Sequence, residues 1–289
     1  MKLQFSGHES FICKHFWLKK GYDFTGNFNE EDTVIELGVG KNMVTSIAFW
    51  LKAFGIKDSN NNNTELANFL FHPVNGKDPY IENIASLWLL HYYLINTNKA
   101  SLYNLFFNYF RKNRVEFTRE HIHNFLRRLL EDENLKSFNE NTLKSDISVF
   151  IRSYLKPTYK ETKIDIEEDF STLLMDLDLM NSYETVSDEK KIVDWYVVPS
   201  KVQSDLPWEV VLFAILDNYE NISTISFNEL LIGVNAPGLI FCLNEDGLYN
   251  KIESIRNKYK QVTYSESAGV RQIQFKDSLN KWEVLNGCY

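Results

Sequence analysis

Glu36-Leu37-Gly38-Val39-Gly40-Lys41-Asn42-Met43-Val44-Thr45-Ser46-Ile47 is the stretch on which the reading of this chain turns. Two glycines two residues apart permit a tight bend, and the apolar residues beyond them recur at helical spacing. Val44, Ile47, Leu51 and Phe54 fall on one face, while Asn42, Thr45, Phe49 and Lys52 point elsewhere. The pattern predicts the turn and second helix of a helix-turn-helix unit over Glu36 to Phe54. Lys41, Asn42 and Thr45, near the start of that helix, have the side chains and the exposed backbone amides to meet base edges or phosphates. The alternative is an ordinary helix pair joined by a glycine turn. A phosphate-binding P-loop is excluded: its first glycine would fall at Ile35, and Asn42 stands where a hydroxyl must hold magnesium.

Working outward, Asn60 to Asn63 suit a solvent loop, and Thr64 to Lys77 a short hairpin-like connection, the wing of the first unit. Asp78-Pro79 offers an N-cap and a first helical position, and Ile84, Leu87, Trp88, His91, Leu94 and Ile95 then form a buried helix face. Ser101 opens a helix with Leu102, Leu105, Phe106 and Tyr109 inward. Thr118 caps another through Leu130, whose partner, starting near Asn141, carries Leu143, Ile147, Ile151 and Tyr154 inward. Asn141, Ser145, Ser148 and Arg152 share its other face, with Lys144 beside them.

Trp195 to Pro199 reads as a strand ended by proline, and Trp208 to Tyr219 as an apolar helix. A third unit follows: a short helix at Phe227 to Leu231, a turn at Asn235 to Gly238, and a helix from Asp246 to Tyr259. Val262 to Ser265 and Val270 to Phe275 alternate in strand fashion around Ser267-Ala268-Gly269, a hairpin whose Arg271 is placed to touch phosphate or a minor groove. The expected fold is therefore mainly α with small β wings, in tandem winged helix-turn-helix-like modules. Its divisions are a winged-helix-like domain at 1–98, a basic helical domain at 99–160, an acidic connecting segment at 161–204 and a second winged-helix-like domain at 205–289.

Composition supports a packed helical protein: 289 residues include 21 Phe and 15 Tyr but only 12 Gly and 6 Pro. A formal charge of −8 argues against a general phosphate binder, yet the charge is segregated. Residues 99–160 hold 12 Lys and Arg against 7 Asp and Glu; residues 161–220 hold 4 against 15. The acidic stretch reads as a solvated spacer, a partner surface or a cover for the basic part. Three distant cysteines, Cys13, Cys242 and Cys288, favour a reducing compartment over a disulfide framework or zinc site. No long apolar run and no basic-then-apolar start is present, so a cytoplasmic protein is expected.

Chemistry is thinly represented. Cys13 and His15, like His121 and His123, are two apart, a spacing that does not place two ligands on one helix face. His8-Glu9 is the one candidate acid/base pair, and neighbours of this kind more often serve as caps or surface bonds. No metal site, no cofactor and no catalytic residue is expected.

Several stretches together resemble the bacterial domain-of-unknown-function family DUF4007. They are Phe5-Ser6-Gly7-His8-Glu9-Ser10-Phe11, Trp17 to Asp23, Glu36 to Val44, Asp78-Pro79-Tyr80, Leu87-Trp88-Leu89-Leu90-His91 and Thr142-Leu143-Lys144-Ser145-Asp146. Glu245-Asp246-Gly247-Leu248 and Ala268-Gly269-Val270-Arg271-Gln272 complete the set. Members of that family are typically encoded beside enzymes similar to phosphoadenosine-phosphosulfate reductases, in clusters resembling DNA sulfur-modification or phage-defence systems. The resemblance implies a DNA-recognition or adaptor subunit whose partners are double-stranded DNA and proteins of its operon, with the sulfur chemistry left to the neighbouring enzyme. Lys14 stands where many relatives carry arginine, which keeps the charge but loses the bidentate fork. The expectation is a non-catalytic DNA-binding component, with a protein-interaction scaffold as the alternative.

Overall fold

The chain's structure, a computed structural model, describes residues 3–132, 139–156 and 172–289. It is mainly α with two small three-stranded antiparallel sheets. The chain packs as two compact units, residues 1–82 with 93–198 and residues 83–92 with 199–289. Part of the expected acidic segment at 161–204 lies outside the described residues.

The first unit begins with α1 (Trp17–Asp23), α2 (Thr33–Leu37), α3 (Lys41–Ala53) and α4 (Glu65–Phe71). Gly38 takes the left-handed conformation (φ 61°) that ends α2. The amides of Gly38 and Val39 turn back onto Ile35 O and Val34 O, both at 3.2 Å. Lys20 Nζ donates to Leu37 O at 2.9 Å, a cation at a helix C-terminus. Gly40 is extended and Lys41 opens α3, so the turn falls where the two glycines put it.

Two expectations for this region are corrected. Phe49 is buried on α3 rather than turned outward, because the N-terminal loop lies over it. Residues 64–77 form no hairpin: Thr64 Oγ1 accepts from Ala67 N at 3.2 Å and opens α4, which buries Leu66, Ala67, Leu70 and Phe71 at helical spacing. The wing expected there is a helix.

A long helix, α5 (Ile84–Asn96), carries the boundary between the units at Tyr92/Tyr93. It starts later than Asp78-Pro79 suggested. Asp78 instead accepts from Glu82 N (2.9 Å) in a turn where Ile81 is left-handed, and Asn83 Oδ1 accepts from Ala85 N at 2.9 Å. Nearly every residue from Ala85 to Tyr92 is buried, not one face alone.

The rest of the first unit starts with α6 (Ser101–Leu105), which continues through a wide turn, Phe106–Phe110, into α7 (Arg111–Asn113). That wide turn is a π-helical segment. Its extra residue per turn rotates Tyr109 outward and Phe110 inward, reversing the expectation for Tyr109. Then come β1 (Glu116–Phe117), α8 (Arg119–Asp132), α9 (Glu140–Tyr154), β2 (Asn181–Val186) and β3 (Ile192–Val197). The sheet order is β1-β3-β2, with Phe117 opposite Tyr196 and Tyr183 opposite Trp195. Phe106, Phe110, Phe117 and Phe150 interlock beneath it at ring separations of 4.6 to 5.5 Å.

The second unit combines the first nine residues of α5 with α10 (Trp208–Asn218), β4 (Thr224–Ser226), α11 (Phe227–Ile232), α12 (Pro237–Ile240), α13 (Glu245–Lys258), β5 (Val262–Ser267), β6 (Val270–Phe275) and α14 (Lys281–Leu285). The expected turn at Asn235 to Gly238 already contains the start of α12, with Pro237 at its first position. Ser226 and Asn244 cap α11 and α13 through Glu229 N and Gly247 N. Ala268 (φ 50°) and Gly269 (φ 77°) make the two-residue hairpin turn, whose paired left-handed residues match the twist of the flanking strands.

The sheet order here, β4-β6-β5, repeats that of the first unit. In both, a helix leads to a short strand, further helices and a hairpin, and the hairpin's second strand pairs with the short strand. Trp88 lies edge-on to Phe241 (5.8 Å), His91 Nε2–H donates to Ile240 O (2.8 Å) and Tyr92 OH to Asp217 (2.6 Å), which fastens the α5 segment into this unit.

Candidate nucleic-acid interface

The first unit is organised around the loop Ser6 to Phe11. Four of its residues have positive φ: Ser6 71°, Gly7 104°, Glu9 48° and Ser10 64°. Gly7 is the one position where no side chain fits, because a Cβ there would meet the Phe49 ring at 2.5 Å. The other three hold side chains in a costly region, so the surroundings must fix the loop.

His8 and Asp146, 4% and 7% exposed, do so. His8 Nε2 lies 2.9 Å from Asp146 Oδ1, and Ser10 N–H donates to His8 Nδ1 at 3.1 Å. Since Nδ1 accepts, the geometry selects the neutral ring with its proton on Nε2, donated to the carboxylate. Ser6 N–H donates to both Asp146 oxygens at 3.1 Å. The imidazole stacks on Trp50 (6.0 Å) and meets Phe49 edge-on (5.8 Å), while Trp50 Nε1 donates to Phe11 O at 3.1 Å. Both ring nitrogens of His8 are thus committed to holding the loop, and Glu9 points to solvent. The His8-Glu9 acid/base pair is not formed.

The loop also binds the outer face of α9. Ser10 and Ser145 hydroxyls are 2.9 Å apart, and Arg152 Nη2 donates to Ser10 O at 2.7 Å. Thr172 continues the seam, donating to Arg152 O (3.3 Å) and bridging to Lys14. Asn141, Lys144, Ser145, Ser148 and Arg152 occur at helical spacing on a single stripe of α9, about 17 Å long at 1.5 Å per residue. Asn141, Lys144 and Arg152 are exposed and the two serines half-buried. Lys144 has no carboxylate partner among the described residues, whereas Glu140 on the same helix is engaged by His123 (2.5 Å).

On α3, Lys41, Asn42 and Thr45 are exposed, with Thr45 Oγ1 donating to Lys41 O at 3.3 Å. Their stripe runs beside Phe49, which the loop covers. Lys41 therefore stands about 12 Å along the helix from the loop contact. One loop thus borders the candidate faces of both helices.

Arg271 is elsewhere, in the second unit. Its guanidinium pairs with Glu245 at 2.5 Å and lies 4.3 Å over the Phe227 ring, so the cation expected to touch phosphate stands in an exposed ion pair.

Sequence reasoning missed Asp146, Ser6 and Ser10. Asp146 sits on the buried side of α9, and a carboxylate on an apolar stripe was the signal that something must meet it. The two stretches Phe5 to Phe11 and Thr142 to Asp146, separate carriers of the family resemblance, meet here. The Cys13 thiol is buried and pushed up by desolvation, so it stays protonated and inert. Among the described residues no three His, Cys, Asp or Glu side chains converge as a metal cage, and no helix is long and apolar enough to cross a membrane.

A fold of two helical units with small sheets and a loop-stapled polar seam defines the class. The chain belongs to the DUF4007 family, described as proteins of unknown function, whose sequence model matches residues 5–289. No match was found among curated proteins. Two solved structures share the fold: magnesium-bound SspB, with a TM-score of 0.81, and SspB, with 0.79. Each is 23% identical, and the match covers 99% of this chain and 88% of the other.

Proposed function

We propose that the chain is a non-catalytic, double-stranded DNA-binding component of a bacterial DNA sulfur-modification or phage-defence complex. The observation that carries the reading is the exposed polar and basic stripe of α9. The order helix, short strand, helix, helix, hairpin, with the sheet arranged β1-β3-β2, supports taking α9 as the counterpart of a winged helix's recognition helix. Lys144 is the leading phosphate contact, Asn141 and Ser148 are the groups beside it, and Arg152 adds charge while holding the loop. Lys41, Asn42 and Thr45 on α3 supply a second, helix-turn-helix-like face. The positive balance of residues 99–160, the segment that holds α9, favours this face for the nucleic acid.

The overall acidity of the chain implies modest affinity alone and a protein of the same operon, such as a phosphoadenosine-phosphosulfate-reductase-like enzyme, supplying the rest.

Fluorescence anisotropy with a short labelled duplex over a salt series tests the proposal. Binding that weakens with salt is expected, and Lys144→Glu should weaken it across sequences and reduce the salt slope by about 1 per lost phosphate contact. Lys41→Glu should act in the same direction. An absence of salt-dependent binding with and without the operon proteins, or both variants binding as wild type, defeats the reading.

A further inference from the structure

The β1-β3-β2 sheet of the first unit has an inner and an outer side. Side chains alternate along a strand, and residues opposite each other share a side, so Phe117 and Tyr196 point one way and Glu116, Val197 and Asn181 the other. Phe117 and Tyr196 are buried, which makes theirs the inner side. The outer side carries Tyr183 opposite Trp195, with Thr185 next along β2. Tyr183 is 42% exposed and Trp195 half-buried.

The two rings lie nearly parallel, 10° apart in plane with centroids 6.3 Å apart, and His121, from the first turn of α8, adds a third ring 5.5 Å from Trp195. Each strand ring is tied at its polar edge. Trp195 Nε1 donates to Thr185 Oγ1 at 3.0 Å, and Tyr183 OH reaches across β3 to donate to Glu116 at 3.4 Å. The aromatic surface is thus ordered in advance, and little rotamer freedom is left for a ligand to remove. Arg114, two residues before Glu116 in the same extended run, falls on the outer side as well, its Nη1 3.4 Å from His121 Nε2. It is exposed and has no carboxylate partner among the described residues. Burial and this guanidinium hold the His121 imidazole below its ordinary pKa, so the ring is neutral and Arg114 is the cation beside the rings. Glu184 and Asp194, opposite each other in the register, lie on the other side of the hairpin.

We propose that the outer face of this sheet is a stacking site for unpaired bases of single-stranded DNA. A base lies on the open faces of the Tyr183 and Trp195 rings, and Arg114 meets the adjoining phosphate. Every base has a π-face, so stacking of this kind tolerates any sequence. A proline-rich peptide also rests on aromatic grooves, but it carries no anion for the exposed guanidinium. Bases inside a duplex are already stacked on one another, so the site takes a strand that is open. None of these residues belongs to the α9 stripe, and single-strand and duplex binding are therefore separable.

A fluorescein-labelled oligothymidylate and the full chain test this by anisotropy, with tryptophan emission read in parallel. Binding should quench that emission and show a shallow salt slope of about 0.7, the value for one phosphate contact on a single strand. Tyr183→Ala should weaken binding about tenfold, whereas Tyr183→Phe, which keeps the ring, should bind as wild type. Trp195→Phe should keep most of the binding and lose most of the quenching, and Arg114→Gln should remove the salt slope. Lys144→Glu, the variant that probes the duplex reading, should leave single-strand binding unchanged. The inference is overturned if oligothymidylate does not bind, if Tyr183→Ala binds it as wild type or if Arg114→Gln leaves the slope intact. It is equally overturned if Lys144→Glu weakens single-strand binding as much as Tyr183→Ala, which would place the strand on α9, or if a polyproline peptide quenches the tryptophan and oligothymidylate does not.

Discussion

Replacing His8 by alanine should release the Ser6 to Phe11 loop while leaving the first unit folded. Closed, the loop holds Ser6, Glu9 and Ser10 left-handed, at about 1–2 kcal/mol each, or roughly 3–6 kcal/mol in all. Against this stand the bonds of His8. Its contact with the Asp146 carboxylate contributes about 1.5–3 kcal/mol, the one from Ser10 N–H about 1 kcal/mol, and burial of its ring against Trp50 and Phe49 about 2 kcal/mol. The alanine variant loses roughly 5 kcal/mol of closing energy, comparable to the strain the loop stores, so the open form becomes competitive. Amide hydrogen exchange measures this directly. Ser6, Ser10 and Phe11 donate to Asp146, His8 Nδ1 and His8 O in the closed loop. A loss of about 5 kcal/mol of local stability speeds their exchange by more than about a thousandfold, up to the limit set by the open loop. Amides of the buried half of α9, such as Phe150, should keep wild-type protection, and His8→Gln, which still offers a donor to Asp146, should recover part of the loss. Unchanged exchange at all three loop amides, or a uniform rise through α9, would refute the staple.

Gly7→Ala attacks the same loop from its backbone: at φ 104° with the Phe49 ring 2.5 Å from the new Cβ, it should cost about 2–4 kcal/mol in urea unfolding, and a loss below about 0.5 kcal/mol would show that the loop can shift freely. In the second unit, burial holds the His91 imidazole down at about 4. Because the native pKa is the depressed one, the unfolded chain takes a proton below about 6.5 that the folded unit refuses. Stability is thus lost as pH falls from 6.5 toward 4, by about 3 kcal/mol in total. The stability gap between wild type and His91→Gln in urea titrations should narrow by that amount over this window, and a constant gap would place the acid sensitivity elsewhere.

Long elements with full helical periodicity were readable from residue order alone. The Gly38-Val39-Gly40 bend, the helix from Lys41, the Thr118 and Asn141 helices and the Ala268-Gly269 hairpin all follow from local chemistry acting within one or two turns. What failed was decided by distance. Asp78-Pro79 has the residues of a helix start, but Asp78 is spent on a turn with Glu82 and the helix waits for Asn83. Thr64 to Lys77 became α4 because its apolar residues find a core to pack on. The strands β1 and β4, of two and three residues, are too short for any alternation to register. A single π-helical turn then moved Tyr109 out of a core that its spacing alone assigned it to.

The candidate site shows the same division more sharply. The stripe on α9 could be drawn from spacing, but its meaning depends on a partner 138 residues away in sequence: Asp146 looks like a polar intrusion until His8 is laid against it. Arg271 shows the converse. Its place near a hairpin tip suggested a phosphate contact, and only the fold reveals Glu245 within 2.5 Å. Stretches that carry the family resemblance meet in pairs, Phe5 to Phe11 with Thr142 to Asp146, and Glu245 to Leu248 with Ala268 to Gln272. The first pair pins a loop against α9, the second a hairpin against α13. In the first unit the pinning leaves a lysine outward; in the second it consumes the arginine and leaves carboxylates. A formal charge of −8, which first argues against nucleic acid, is an average over faces of different character: the outward lysine of α9 sits in a unit that is acidic as a whole. Net charge of the whole chain is then a poor guide to the α9 face, and a charge reversal confined to Lys144 is the perturbation that tests it.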